Sequence, residues 1–229
     1  ANTDIPGASN LSSANVVVDT TAPSITSITS SAVNNNGFEN ETQYPVTFTF
    51  SENIKVAGNA DEKFEINDIT TTNGTITNLT ATSGSVYTAT FTPSADGACS
   101  IEVEANKYQD LAGNSNVEAN GTNIFSFTHD TTAPTLAITA KAVDANGNAV
   151  ASGTETNDAS LHVIFTFSEV VKVSSFTSAD ITVANGAISN LLPNAGAGND
   201  DSVFTATFTP TGDGDCSIEV AANKFEDLA

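Results

Sequence analysis

Self-similarity narrows the possible folds of this chain more than any other property. VTFTFSENIKV at 46–56 returns as VIFTFSEVVKV at 163–173, and NGTITNL at 73–79 returns as NGAISNL at 185–191. The long stretch TATFTPSADGACSIEVEANKYQDLA (88–112) returns as TATFTPTGDGDCSIEVAANKFEDLA (205–229), and DTTAP stands at 19–23 and 130–134. One unit of roughly 110 residues is therefore written twice, with small insertions between the matched blocks.

Each copy reads as all β. Apolar and polar residues alternate in VTFTF, YTATFTP and CSIEVEA, the period of a strand with one face buried. Turn pairs separate the runs: Asn73-Gly74, Asp96-Gly97 and Gly113-Asn114 in the first copy, Asn185-Gly186 and Asp213-Gly214 in the second. No stretch carries a sustained helical period. About seven short strands per hundred residues predict a two-sheet sandwich. Cys99 and Cys216 occupy matching strand positions and predict buried thiols acting as small hydrophobes, because one cysteine per unit cannot bridge within it.

Charge excludes some functions. The net charge is −21, and all six basic residues are lysines, so no basic stripe exists to displace counterions from nucleic acid. An acidic surface favours solubility, repulsion between chains and affinity for cations. No apolar run is long enough for a membrane-spanning helix, so no membrane insertion is expected. No signal peptide is visible at the start. No Ser-His-Asp set, P-loop or HExxH motif is present, and His129 and His162 are not repeated between copies, so each reads as a lone surface histidine and the chain as a non-enzyme. Lys55, Lys172, Lys107 and Lys224 recur near strand ends and read as surface lysines. Asn10, Asn40, Asn73, Asn78 and Asn120 head N-x-S/T sequons, largely a product of composition.

DTTAP, FTFSE, the DIT…NG.I.NL block, TATFTP..DG and DLAGN, in this order and twice over, resemble the bacterial Ig-like tandem repeats of large surface adhesins and biofilm-associated proteins. The resemblance covers nearly the whole chain. It implies an extracellular, non-enzymatic tandem of Ig-like β-sandwiches, often with calcium between domains. The tryptophan and inter-sheet disulfide of antibody domains are absent. The expected division is an N-terminal extension at 1–18, one Ig-like domain at 19–130 and a second at 131–229.

An Ig-type topology places several acids at one pole. Glu52 follows FTFSE into the loop after the second strand, Asp110 and Asn114 lie in the DLAGN loop, and Asp19 opens DTTAP just before the first strand. The second copy offers Asp130, Glu169 and Asp227, and Asp68 and Asp180 are further ligands or plain turn residues. Carboxylate and amide oxygens from separate loops suit Ca²⁺, which takes six to eight oxygens, whereas Zn²⁺ would call for His or Cys.

The second copy reaches DLA at 227–229, and no counterpart of NIFSFTHD (123–130) follows in this sequence, so the second sandwich is expected to lack its last strand. Residues 1–18 hold a similar strand, with Ala14, Val16 and Val18 in register with Phe125, Phe127 and His129, and Val17 among them. Two readings stay open: a segment of a longer tandem array beside neighbouring repeats, or identical chains joined end to end by donation of this strand, which would build a filament. The function expected is that of a repeat segment of an adhesin stalk or filament. The alternative is an adhesive module that recognises a glycan or host protein through its loops, although Phe38, Tyr44 and Tyr108 are scattered along the sequence.

Overall fold

The computed structural model describes all residues except 1–16, 57, 59–61, 119–120, 144–146, 195 and 197. It is all β, with two single 3₁₀ turns and no longer helix among the described residues. Among the described residues no helix is long and apolar enough to cross a membrane. Two compact units emerge from the contacts. The first takes the described residues up to Ser30 with Pro45–Phe91 and Ser100–Phe125, and the second takes Ser31–Tyr44, Thr92–Cys99 and Ser126–Ala229.

The first copy forms two four-stranded sheets. One runs β1 (Ile25–Ser30), β3 (Tyr44–Phe50), β6 (Val86–Pro93), β5 (Gly74–Ala81). The other runs β2 (Phe38–Glu39), β8 (Ile124–His129), β7 (Gly97–Val103), β4 (Ile69–Thr72). Alternation does the sorting. In β3, Tyr44, Val46, Phe48 and Phe50 are buried, while the residues between them are not. The residues that alternate in β6, β7 and β8 bury Tyr87, Ala89 and Phe91, then Cys99, Ile101 and Val103, then Phe125, Phe127 and His129.

The second copy repeats this with one difference. Its large sheet runs β10 (Ala149–Val150), β9 (Leu136–Ala142), β11 (Leu161–Val171), β14 (Asp201–Pro210), β13 (Gly186–Pro193), and its small sheet pairs β12 (Ile181–Ala184) with β15 (Ser217–Val220) alone. In the first copy β2 pairs in parallel with β8. Its counterpart β10 instead pairs antiparallel with β9.

Aromatic plugs close both cores from outside the strands. The Phe64 ring lies 5.4 Å from Phe48, 5.2 Å from Phe50, 5.4 Å from Tyr87 and 5.6 Å from Tyr108. Phe176 plays the same part against Phe165, Phe167, Phe204 and Phe225, at 5.3, 5.2, 5.3 and 6.3 Å. Edge-to-face packing at these distances suits the ring quadrupoles.

Several expectations are corrected here. His129 is not a surface residue: it is buried, and its Nδ1 lies 3.1 Å from the Tyr44 hydroxyl. A hydroxyl partner is what lets the imidazole leave water. His162 is exposed. Cys99 is buried within β7 as expected, but Cys216 is exposed and stands just before β15 rather than in it. Neither thiol is disulfide-bonded. Tyr44 and Tyr108 are fully buried core residues. Lys55 is half-buried, with Nζ donating to Gln109 Oε1 at 2.8 Å. Of the expected N-terminal strand, Ala14 and Val16 lie outside the described residues, and Val17 and Val18 are exposed and not in a strand.

Three pairs of asparagines turn the chain through positive φ at equivalent places: Asn73 and Asn185, Asn78 and Asn190, Asn106 and Asn223. Asn tolerates this region better than most residues with a Cβ. Asn106→Gly is therefore expected to leave the melting temperature nearly unchanged, whereas Asn106→Ala lowers stability by about 1 kcal/mol. Thermal melts of the two variants side by side check this.

Candidate metal centre

Short ladders bring the acidic loops together. After β3 the chain turns at Ser51, whose N–H donates to the Ser24 carbonyl at 2.9 Å while its Oγ accepts from Ser24 N–H at 3.0 Å. This ties Glu52 to the chain entering β1. Two residues on, Ile54 bridges Asp110, and Lys55 N–H donates to the Gln109 carbonyl at 2.9 Å, tying the same loop to the segment between β7 and β8. Val117 N–H closes the ring on the Pro23 carbonyl at 3.1 Å.

The result is that one carboxylate oxygen each from Asp19, Glu52 and Asp110 lies within 4.8 Å of the others. Asp110 is fully buried. Its Oδ1 accepts from Gly113 N–H at 2.7 Å and Asn114 N–H at 2.8 Å, and its Oδ2 accepts from Asn114 Nδ2 at 2.7 Å. Asn114 Nδ2 also donates to the Asp19 carbonyl at 3.2 Å. The Asn114 Nδ2 group thus clamps Asp110 to the chain at Asp19. Asp19 holds its own turn, accepting from Thr21 N–H at 3.0 Å.

Electrostatics follow from this crowding. Burial pushes the Asp110 carboxyl up, but the hydrogen bonds from Asn114, Gly113 and Ala112 outweigh it and leave its pKa below the usual value. Glu52 moves the other way: burial, the charges of Asp19 and Asp110 and a hydrogen bond shared with Asp19 all raise it. Beside it, Tyr108 is raised by burial and then by the Glu52 charge, and its buried hydroxyl has no hydrogen-bond partner among the described residues. Phe225 holds the equivalent place in the second copy.

The second copy repeats much of this frame. Ser168 N–H donates to the Thr135 carbonyl, Val171 bridges Asp227, Lys172 N–H donates to the Glu226 carbonyl, and Asp130 accepts from Thr132 N–H at 3.0 Å. Glu169 is raised by burial, by the charge and hydrogen bond of Asp130, and by the charges of Asp227 and Asp96. Among the described residues, however, only the first copy's trio meets within 4.8 Å. Asp227 Oδ1 instead accepts from Ala229 N–H at 2.9 Å.

Asp68 and Asp180 lie elsewhere and do a different job. Each caps a 3₁₀ turn: Asp68 accepts from Glu65 N–H at 2.7 Å, and Asp180 accepts from Thr177 N–H at 2.9 Å and its hydroxyl at 2.7 Å. In each, one carboxylate oxygen, Oδ2, is engaged by the turn, and neither residue is among the trio that meets within 4.8 Å. Asp96, not singled out from the sequence, accepts from Thr131 N–H at 3.0 Å, Thr131 Oγ1 at 2.9 Å and Thr132 Oγ1 at 2.7 Å. Those hydrogen bonds hold its carboxyl below the usual value. Its recurrence in an Asp-Gly turn, as Asp213, was the available signal.

Comparison with known proteins gives a family and distant folds. The family described as "Bacterial Ig-like domain" matches residues 19–127 and again 130–229. The structure of InvD from Yersinia pseudotuberculosis is similar, at 17% identity and TM-score 0.40, covering 89% of this chain and 55% of that one. The bacterial S-layer protein SbsC matches through its N-terminal part, at 17% identity and TM-score 0.30, covering 65% of this chain and 41% of that one. Its 31–844 form matches at 17% identity and TM-score 0.31, covering 83% and 33%. The chain thus spans about half or less of these structures. A search of curated proteins found no match.

Proposed function

Because the chain belongs to the bacterial Ig-like domain family, we propose that it is a non-enzymatic structural segment of a surface-exposed extracellular protein, braced by Ca²⁺ where the chain enters each sandwich. The observation that carries this reading is the meeting of Asp19, Glu52 and Asp110, drawn from positions up to 91 residues apart, within 4.8 Å. Three carboxylates without a basic partner among them repel, as the raised Glu52 records. A hard divalent cation with oxygen preference relieves that repulsion, and the set contains no nitrogen or sulfur ligand that would favour zinc. Asp19 would hold the DTTAP entry segment, Glu52 the loop after β3 and Asp110 the loop after β7, so one ion would fix three chain segments. Asp130, Glu169 and Asp227 would do the same in the second copy.

Calcium is expected to raise the melting temperature and EDTA to reverse it. At free Ca²⁺ ten times the dissociation constant the gain is about 1.4 kcal/mol per site, or about 5–10 °C for a sandwich of this size. Glu52→Gln separates the ion from the fold. Glu52 has a raised pKa, so its contribution is present below its unfolded value and is lost as pH rises through the folded one. At neutral pH the substitution should therefore raise the melting temperature in EDTA while weakening the response to calcium. Equal melts with calcium and with EDTA in the parent chain would remove the metal from this reading.

A further inference from the structure

Tyr108 is fully enclosed, and among the described residues its hydroxyl has no hydrogen-bond partner. Such a group costs stability, so its presence asks for a reason. Packing does not give one. The Tyr108 ring lies 4.9 Å from Phe50 and 5.6 Å from Phe64. At the equivalent place in the second copy, the Phe225 ring lies 4.8 Å from Phe167 and 6.3 Å from Phe176. The second copy thus fills the same seat with a ring that carries no oxygen.

The chain around Tyr108 is held beside the acidic trio. Tyr108 N–H donates to Asn116 Oδ1 at 3.1 Å, and its carbonyl accepts from Asn116 N–H at 2.9 Å. Asn116 is itself buried. Two residues on, Asp110 is fully buried like Tyr108, while Gln109 between them is half-buried and accepts from Lys55 Nζ. Alternation therefore puts Tyr108 and Asp110 on one face. Phe50, whose ring meets Tyr108, likewise stands two residues before Glu52. Burial, and then the Glu52 charge, raise the Tyr108 pKa and keep it a neutral hydroxyl, able both to accept and to donate.

Coordination chemistry supplies the missing partner. Ca²⁺ takes six to eight oxygens. Both oxygens of Asp110 already accept hydrogen bonds from Gly113 and Asn114, so three carboxylates do not fill that shell and water takes the remaining places. A cation-bound water points its hydrogens outward and needs acceptors in the wall of the site. We propose, resting on the calcium reading above, that Tyr108 is a positioning residue of the first-copy site, its hydroxyl oxygen accepting from a water bound to the cation. Calcium then relieves two costs together: the repulsion among Asp19, Glu52 and Asp110, and the unpaired buried hydroxyl.

The test compares the full chain with its Tyr108→Phe variant, both carrying Glu169→Gln to keep the second copy's acids from contributing. Phe225 fills the equivalent seat with phenylalanine, so the variant is expected to fold. In calorimetric titration with calcium chloride, Tyr108→Phe should bind about tenfold more weakly. In EDTA it should melt no lower than its parent, since the hydroxyl it loses has no partner there. A positioning role also has a spectral signature. The chain has three tyrosines and no tryptophan, and Tyr44 is already bonded to His129. Calcium should therefore shift the near-ultraviolet tyrosine absorption of the parent and leave that of Tyr108→Phe unchanged. Equal calcium affinities overturn the proposal and leave the metal reading standing. So does a variant that melts lower in EDTA, because its hydroxyl then serves the fold and not the ion. A parent chain that takes up no calcium overturns the metal reading itself, and this inference with it.

Discussion

Replacing Asp110 with alanine should cost the first sandwich about 2–4 kcal/mol and abolish its response to calcium. The carboxylate is fully buried and accepts from Gly113 N–H, Asn114 N–H and Asn114 Nδ2. Alanine leaves three donors without their acceptor, and an orphaned buried donor costs about 1–3 kcal/mol before any relaxation. Water entering the cavity recovers part of the sum. The loss corresponds to a melting temperature more than about 10 °C lower for this sandwich. The pH profile provides a second readout. The pKa of Asp110 is depressed in the folded state, so its contribution is present above the unfolded pKa and disappears as pH falls through the folded one. Melts in EDTA from neutral pH into acid should therefore show an acid-side loss in the parent chain that is missing in Asp110→Ala. Glu52 and Glu169 act with opposite sign, since their raised pKa values favour the folded state at the acid end. An Asp110→Ala chain that melts like its parent and still responds to calcium would show that neither the hydrogen bonds nor the cluster matters.

Phe176→Ala is expected to be the most damaging core substitution in the second sandwich, at about 3–5 kcal/mol. The ring is 2% exposed and meets four other rings edge to face. Its removal forfeits transfer energy, leaves a cavity between the sheets and breaks aromatic pairs that contribute about 0.5–1.5 kcal/mol each. Total stabilities of domains this size are about 5–15 kcal/mol, so the second sandwich should melt far earlier or be unfolded at 37 °C. Phe176→Leu keeps most of the volume and should cost less than half as much. Calorimetry on the full chain, with Phe64→Ala as the mirror experiment in the first copy, would assign each transition. Similar losses from Phe176→Ala and Phe176→Leu would mean that the site collapses freely and is no keystone.

The sequence by itself determined the repeat, the all-β class and the strands, because a period of two between apolar and polar residues is written locally and forces one face inward. It also brought Asp19, Glu52 and Asp110 to one pole, since strand order alone decides which loops are neighbours. Only the tertiary structure decided what surrounds each side chain. Cys99 and Cys216 sit in nearly identical stretches, ACSIEV and DCSIEV, yet the first is buried inside β7 and the second is exposed just ahead of β15, because strand extent and burial depend on what lies alongside. His129 looked solitary in sequence and is held inside by Tyr44, 85 residues away. Phe64 and Phe176 lie outside every strand, so no alternation marks them, and they become the hubs of their cores. The Asn114 Nδ2 clamp on Asp110, and the single oxygen that Asp68 and Asp180 each give to a neighbouring turn, were likewise not written in the strand pattern. Hydrogen-bond partners and neighbouring strands are non-local, and a local pattern carries no record of them.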